Sequence, residues 1–324
     1  MKHFLHIADF SAAELSHFLN LAAQLKQEYR RGGNAALLKN KALGMIFQKP
    51  SLRTRVSFEM GMHHLGGHAL NLLPSEIGLG QRESVADVAR VLSSYVDILM
   101  ARTFAHQHIL DLARWSSVPV INGLTEYNHP CQALADALTI IEHKGTLKGL
   151  RVSFIGDGNN VATSLLHICT RLGAHFTIAT PPGYALPARV LEIGREFASA
   201  SGGSVTVLED PRLAAQAADV LYTDTWTSMG QETEAAVRRA AFAGFTLNAE
   251  LLSLAQPDVI AMHCLPAHRG EEITDDVLDG PHSVAFPQAE NRLHAQKAIL
   301  VELLDAKPKP YRAKTHKPAP KRKR

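Results

Sequence analysis

A chain of 324 residues, 46% hydrophobic and 20% charged, is long enough for two cores of ordinary size and has a globular composition. Its apolar runs stop at strand length, which excludes a membrane span, and its three cysteines (Cys131, Cys169, Cys264) lack the paired spacing of zinc or redox motifs. The +3 net charge is uneven: 306–324 holds nine Lys/Arg and no acid, leaving 25 basic against 31 acidic residues elsewhere, which argues against a specific nucleic-acid partner.

No secretory leader pattern opens the chain, and sparse cysteines suit a reducing compartment, so a cytoplasmic location is expected. Ser11 is placed to cap a first helix with apolar positions at Leu15, Phe18, Leu19 and Ala22. Strand patterns follow at 42–47, 68–73, 97–102 and 118–122, with helical patterns at 53–65 and 85–94. Proline in the first turn favours a long helix from His129-Pro130 towards His143, closed by Gly145. A clean strand at 151–155 opens a second alternation of helices and strands, through 220–222 and 259–263, to a final helix over 290–304. The pattern predicts an α/β protein with two domains, each a mostly parallel sheet flanked by helices. The Lys- and Pro-rich tail is expected to be disordered.

Ligands of open parallel sheets sit beyond the carboxyl ends of strands, and the unusual residue clusters fall there. Ser51-Leu52-Arg53-Thr54-Arg55 lies at a strand-to-helix junction, where unpaired N–H groups, hydroxyls and guanidinium suit an anion; the alternative is a capped helix with solvated arginines. His129 and Gln132, three apart on one helical face, suit a planar group bearing both C=O and NH2, although a lone histidine is more often structural. Gly156-Asp157-Gly158-Asn159-Asn160 suggests a dinucleotide loop, but the third glycine position is Val161, which disfavours a nicotinamide cofactor. The two asparagines either bind a zwitterion or serve as turn residues. Asp224 can hold an ammonium group, with 228–230 as a covering loop, or Asp224-Thr225 can merely cap a helix. His263 and Cys264 alternate along a strand, which places them poorly as a nucleophile–base pair. Arg292 opens the final helical pattern and offers another guanidinium.

In order, these segments resemble the ornithine carbamoyltransferase family over roughly residues 1 to 305. The carriers are Ser51 to Arg55, His129 to Asp136, Asp224-Thr225-Trp226-Thr227-Ser228-Met229-Gly230, His263 to Gly270, and Gln288 to Arg292. The resemblance implies that Ser51, Leu52, Arg53, Thr54 and Arg102 hold carbamoyl phosphate. His129, Gln132 and Arg292 would meet its carbamoyl end, with Cys264 and Leu265 beside the reacting centre. Asn160, Asp224, Ser228 and Met229 would bind L-ornithine. Catalysis would fall to Arg102, His129, Asp224, Cys264 and Arg292, with no metal or organic cofactor. The implied domains are 1–130, completed by the C-terminal helix 290–305, for carbamoyl phosphate, and 131–289 for ornithine, with 306–324 as the tail. The implied assembly is a homotrimer or a multiple of it. Two positions depart from the family pattern. Leu52 stands for the usual threonine. Gly78 stands where a neighbouring subunit's histidine or glutamine often completes the phosphate site, so Glu76, Gln81 or Arg82 would have to substitute.

Overall fold

Among the described residues, nine strands form two sheets whose hydrogen-bonded strand pairs all run parallel. The computed structural model describes residues 2–228, 230 and 232–305; Met229 and the basic tail lie outside the described residues. The first sheet holds β1 (Ala42–Phe47), β2 (His68–Leu72), β3 (Ile98–Arg102) and β4 (Val120–Leu124), in the order β2-β1-β3-β4. The second holds β5 (Arg151–Ile155), β6 (His175–Ala179), β7 (Ser204–Leu208), β8 (Val220–Thr223) and β9 (Ile260–His263), in the order β7-β6-β5-β8-β9. Strand order therefore reverses between β1 and β3 in one sheet and between β5 and β8 in the other, and such crevices are where open α/β sheets bind ligands.

Between the sheets run two long helices, Pro130–Lys144 and Ala285–Leu303, packed on each other. Both are buried on most sides, as befits helices linking two layers: Pro130 to Ile140 is continuously buried. One apolar core spans Met45 and Ile98 of the first sheet, Leu134 and Ile299 of the linking helices, and Phe154 and Val220 of the second sheet. Separate cores cover the outer faces, around Leu99, Ile109 and Leu112 on one side and Leu221, Phe242 and Ala261 on the other. Among the described residues no helix is long and apolar enough to cross a membrane.

Several boundaries differ from the sequence expectation, each for a local reason. The final helix begins at Ala285, not at 290, because Pro287 falls in its first turn, where a missing N–H costs no helical bond. Arg292 thus lies in the helix interior rather than at its start. β4 begins at Val120 because Pro119 has no N–H to give the ladder, although its carbonyl accepts from Leu99 at 2.9 Å. It also runs on to Leu124, with Ala101 opposite Asn122 but Arg102 opposite Leu124, so that Gly123 is an extra residue beside the end of β3. A Cβ on Gly123 would lie 2.6 Å from the Met100 sulfur. The helix His106–Trp115 was not singled out by periodicity.

Candidate active site

The carboxyl ends of strands from both sheets meet at one cavity of about 290 Å³, and thirteen of the fourteen expected site residues line it. They are Ser51, Leu52, Arg53, Thr54, Arg102, His129, Gln132, Asn160, Asp224, Ser228, Cys264, Leu265 and Arg292. Met229 lies outside the described residues. In this single chain, Glu76, Gln81 and Arg82 are not among the residues lining the cavity. Gly78 adopts a left-handed turn (φ +55°), where a Cβ would lie 2.6 Å from that of Arg82, so glycine suits its own backbone there.

On the side of the first sheet, Ser51 caps the helix Leu52–His64 by accepting from the Thr54 N–H at 3.3 Å. That leaves the first-turn N–H groups, with the positive end of the helix dipole, beside the cavity. Leu52, in place of the usual threonine, lines the cavity and is 76% exposed. Arg53 follows it, Arg102 ends β3, and Arg292 reaches across from the final helix. Arg292 donates from Nη1 to Gln132 Oε1 at 2.7 Å and from Nη2 to Thr54 Oγ1 at 3.2 Å. Among the described residues no salt bridge joins Arg53, Arg102 or Arg292 to a carboxylate, and the Nε atoms of Arg102 and Arg292 are buried without a partner. Burial, then the neighbouring Arg292 and Arg53, lower Arg102 to about 10. Burial and the same positive field from Arg292, Arg102 and Arg53 hold His129 well below its usual value. At neutral pH His129 is a neutral ring whose buried Nδ1 has no partner in the protein. Converging uncompensated cations at a helix N-terminus are costly until an anion arrives.

The side of the second sheet has opposite character. After β5 the chain turns through Gly156 (φ +146°) and Gly158, where a Cβ would lie 2.5 Å from the Leu186 nitrogen. Asn159 then caps the helix Asn160–Arg171, its Oδ1 accepting from Val161 and Ala162 at 2.9 and 3.1 Å. Its Nδ2 donates to Asp224 Oδ2 at 2.8 Å, and the Cys264 thiol donates to Asp224 Oδ1 at 2.9 Å. Asp224 is therefore held by two neutral donors, and among the described residues it has no salt bridge to Lys or Arg. Burial, and after it the carboxylate of Asp224, push the Cys264 thiol well above its usual range, so it is a protonated thiol rather than a thiolate. Asn160 donates instead to the Thr125 carbonyl at 2.6 Å, joining the two halves beside the cavity. Leu265 adopts φ +57°, unusual for a leucine, and donates its N–H to His263 Nδ1 at 2.8 Å. His263 in turn meets the buried Glu272 at 3.0 Å, so this histidine braces the loop and leaves Cys264 alone to face the cavity.

Two residues that shape the site, Asn159 and Glu272, are not among the fourteen expected from the sequence. Asn159 had a signal, an asparagine one residue before a helix; Glu272 had none, because its partner lies across a loop.

An anion pocket facing a carboxylate pocket, each at the switch point of its own parallel sheet, defines a two-domain enzyme that moves a group from an anionic donor to a cationic acceptor. Residues 2–142 match the carbamoyl-P binding domain of the aspartate/ornithine carbamoyltransferases, and residues 148–303 match their Asp/Orn binding domain. The chain belongs to the aspartate/ornithine carbamoyltransferase family. It is 54% identical over 303 residues to an ornithine carbamoyltransferase of Pyrococcus abyssi, covering 94% of this chain and 96% of that protein. It is 53% identical over 296 residues to one of Thermococcus kodakarensis, covering 91% and 94%. The solved ornithine carbamoyltransferase of Pyrococcus furiosus superposes with a TM-score of 0.91 at 53% identity, covering 93% of this chain and 96% of that one.

Proposed function

We propose that this chain transfers the carbamoyl group of carbamoyl phosphate to the side-chain amine of L-ornithine, giving L-citrulline and phosphate. The observation that carries the reading is the opposition within one cavity of three guanidiniums without carboxylate partners and a carboxylate, Asp224, without a cationic one, among the described residues. Relatives that align over nearly its whole length carry that activity in their names.

In the proposed roles, the helix N-terminus at Ser51 to Thr54 with Arg53 and Arg102 holds the phosphate. His129, Gln132 and Arg292 meet the carbamoyl end. Asn160, Asp224, Ser228 and Met229 bind ornithine, with Cys264 and the Leu265 backbone beside the carbonyl carbon. The ornithine amine, with a free pKa of roughly 10.4, must lose a proton before it can attack. Its lone pair then forms the new C–N bond while the carbonyl oxygen gathers charge against Arg102, Thr54 and the neutral His129. The proton lost before attack leaves to solvent; the C–O bond to phosphate then breaks as that charge returns to the carbonyl, and the departing phosphate takes the second proton, shed by the nitrogen once the C–N bond has formed. Cys264, held as a thiol by Asp224, fits a role in placing the amine and does not fit a covalent carrier.

The proposed division assigns 1–130 with 290–305 to carbamoyl phosphate and 131–289 to ornithine. The proposed setting is a cytoplasmic homotrimer or multiple of trimers, resting on family resemblance. The test is citrulline formation with ornithine, acetylornithine and putrescine compared at equal concentration. Preference for ornithine is expected. Preference for putrescine would overturn the Asp224 to Gly230 assignment while keeping the anion pocket, and no turnover with any acceptor would overturn the reading as a whole.

A further inference from the structure

Asp136 sits one turn after Gln132 in the helix Pro130–Lys144, fully buried, and takes no part in the transfer described above. Three donors from three elements converge on its carboxylate. Oδ1 accepts from Gln132 Nε2 at 2.8 Å and from Gln288 Nε2, on the final helix, at 2.7 Å. Oδ2 accepts from the Tyr222 hydroxyl of β8 at 3.2 Å. All three donors are neutral, and burial holds the carboxyl up at about 7 against the pull of these hydrogen bonds. A buried carboxylate with no cation in contact is costly, and here three neutral donors offset that cost.

What the carboxylate supplies that an apolar group cannot is a direction. The Gln132 carboxamide has two ends of nearly equal shape, and only the oxygen end can accept from the Arg292 guanidinium at 2.7 Å. An acceptor opposite Nε2 selects that orientation; the flipped amide would set NH2 against a cation. Arg292 is then fixed between Gln132 and Thr54. The second amide is oriented by the same oxygen: Gln288 Oε1 accepts from the His263 N–H at 3.0 Å, at the end of β9 just before Cys264.

We propose that Asp136 is a positioning residue, whose acceptor oxygen sets the amide orientation of Gln132 and so holds Arg292 against Thr54 in the carbamoyl phosphate pocket. The proposal rests on the reading of Thr54 and Arg292 as carbamoyl phosphate contacts. What matters in it is the acceptor, not the charge. Asparagine can keep an oxygen towards the two glutamines while its NH2 faces a Tyr222 hydroxyl that rotates to accept. Leucine cannot.

The experiment compares steady-state KM for carbamoyl phosphate and for ornithine in the wild type, Asp136→Asn and Asp136→Leu, with melting temperature as a fold check. Asp136→Leu leaves three buried donors unpaired, so it is expected to fold with a lowered melting temperature and to raise KM for carbamoyl phosphate about tenfold or more with KM for ornithine nearly unchanged. Asp136→Asn is expected to restore KM for carbamoyl phosphate to within about threefold of the wild type. A leucine variant with unchanged KM, or an asparagine variant as impaired as the leucine one, overturns the proposal. If leucine prevents folding, Asp136→Val, closer in volume, takes its place with the same expected KM; the asparagine result alone still overturns the idea if KM rises tenfold. A wild type that does not turn over carbamoyl phosphate would instead overturn the functional reading, and this proposal with it.

Discussion

Arg53 faces the cavity in the company of other cations, so its removal strips attraction for an anion without orphaning a carboxylate. Arg53→Gly is expected to lower kcat/KM for carbamoyl phosphate at least about a hundredfold, in line with loss of a charge-assisted contact to a developing anion, while the melting temperature stays put. Near-normal turnover would remove Arg53 from the phosphate site. Cys264 offers a sharper choice between readings, since a thiol raised above its usual range reacts slowly with electrophiles. Alkylation of Cys264 by iodoacetamide should be slower than that of a free thiol at both pH 7 and pH 8, and Cys264→Ser should keep turnover within about tenfold. Fast alkylation at pH 7 would revive a nucleophilic thiolate. At this scale the sequence was largely legible, because arginine, histidine and asparagine at strand ends are rare residues in conspicuous places. Asp136 was visible as a letter in a motif, yet its job was hidden: its partners Tyr222 and Gln288 are 86 and 152 residues away.

Helix starts supply most of the site's fixed geometry. Ser51 and Asn159 each cap a helix that follows the central strand at a switch point, and each cap also engages a side chain of the cavity. Asn159→Ala removes the two cap bonds to Val161 and Ala162, a loss of about 1 kcal/mol, and also the donor that steadies Asp224. KM for ornithine is therefore expected to rise several-fold while phosphate binding, measured by calorimetry, stays unchanged; a parallel loss of both would mean that the helix itself had moved. Helix and strand types were readable from periodicity, but their edges yielded to proline. Pro287 made the final helix look shorter than it is, because proline in a first turn and proline as a stop leave the same mark in sequence. The extra residue at Gly123 left no periodic mark, since it depends on how β4 meets β3.

The two halves are joined by more than the linking helices. His6, near the start of the chain, lies 3.1 Å from His167 on the helix Asn160–Arg171, and burial lowers His6 to about 3 and His167 to about 4. In the unfolded chain both would take up protons near 6.5. A lowered folded value means that this contact favours folding above that pH and is lost on acidification. Melting temperature is expected to drop between pH 6.5 and 4, with a shallower drop in His6→Gln; equal slopes would show that the histidine contact does not govern acid stability. A chain ending at Asp305 should turn over as fast as the full chain, because Thr54 to Arg292 already completes the cavity; lost turnover would give the basic tail a catalytic part. Strand order was the least legible feature, since an alternation of strands and helices fixes parallel crossovers but not which strands become neighbours. The bond from Arg292 to Thr54 spans 238 residues of sequence, and it bears on how the protein is made. A ribosome that has delivered the whole first sheet has produced a basic loop but no working pocket. Under the proposed roles, a growing chain lacks the Arg292 side of the donor pocket until the final helix emerges and folds back, so competence would arrive in one late step.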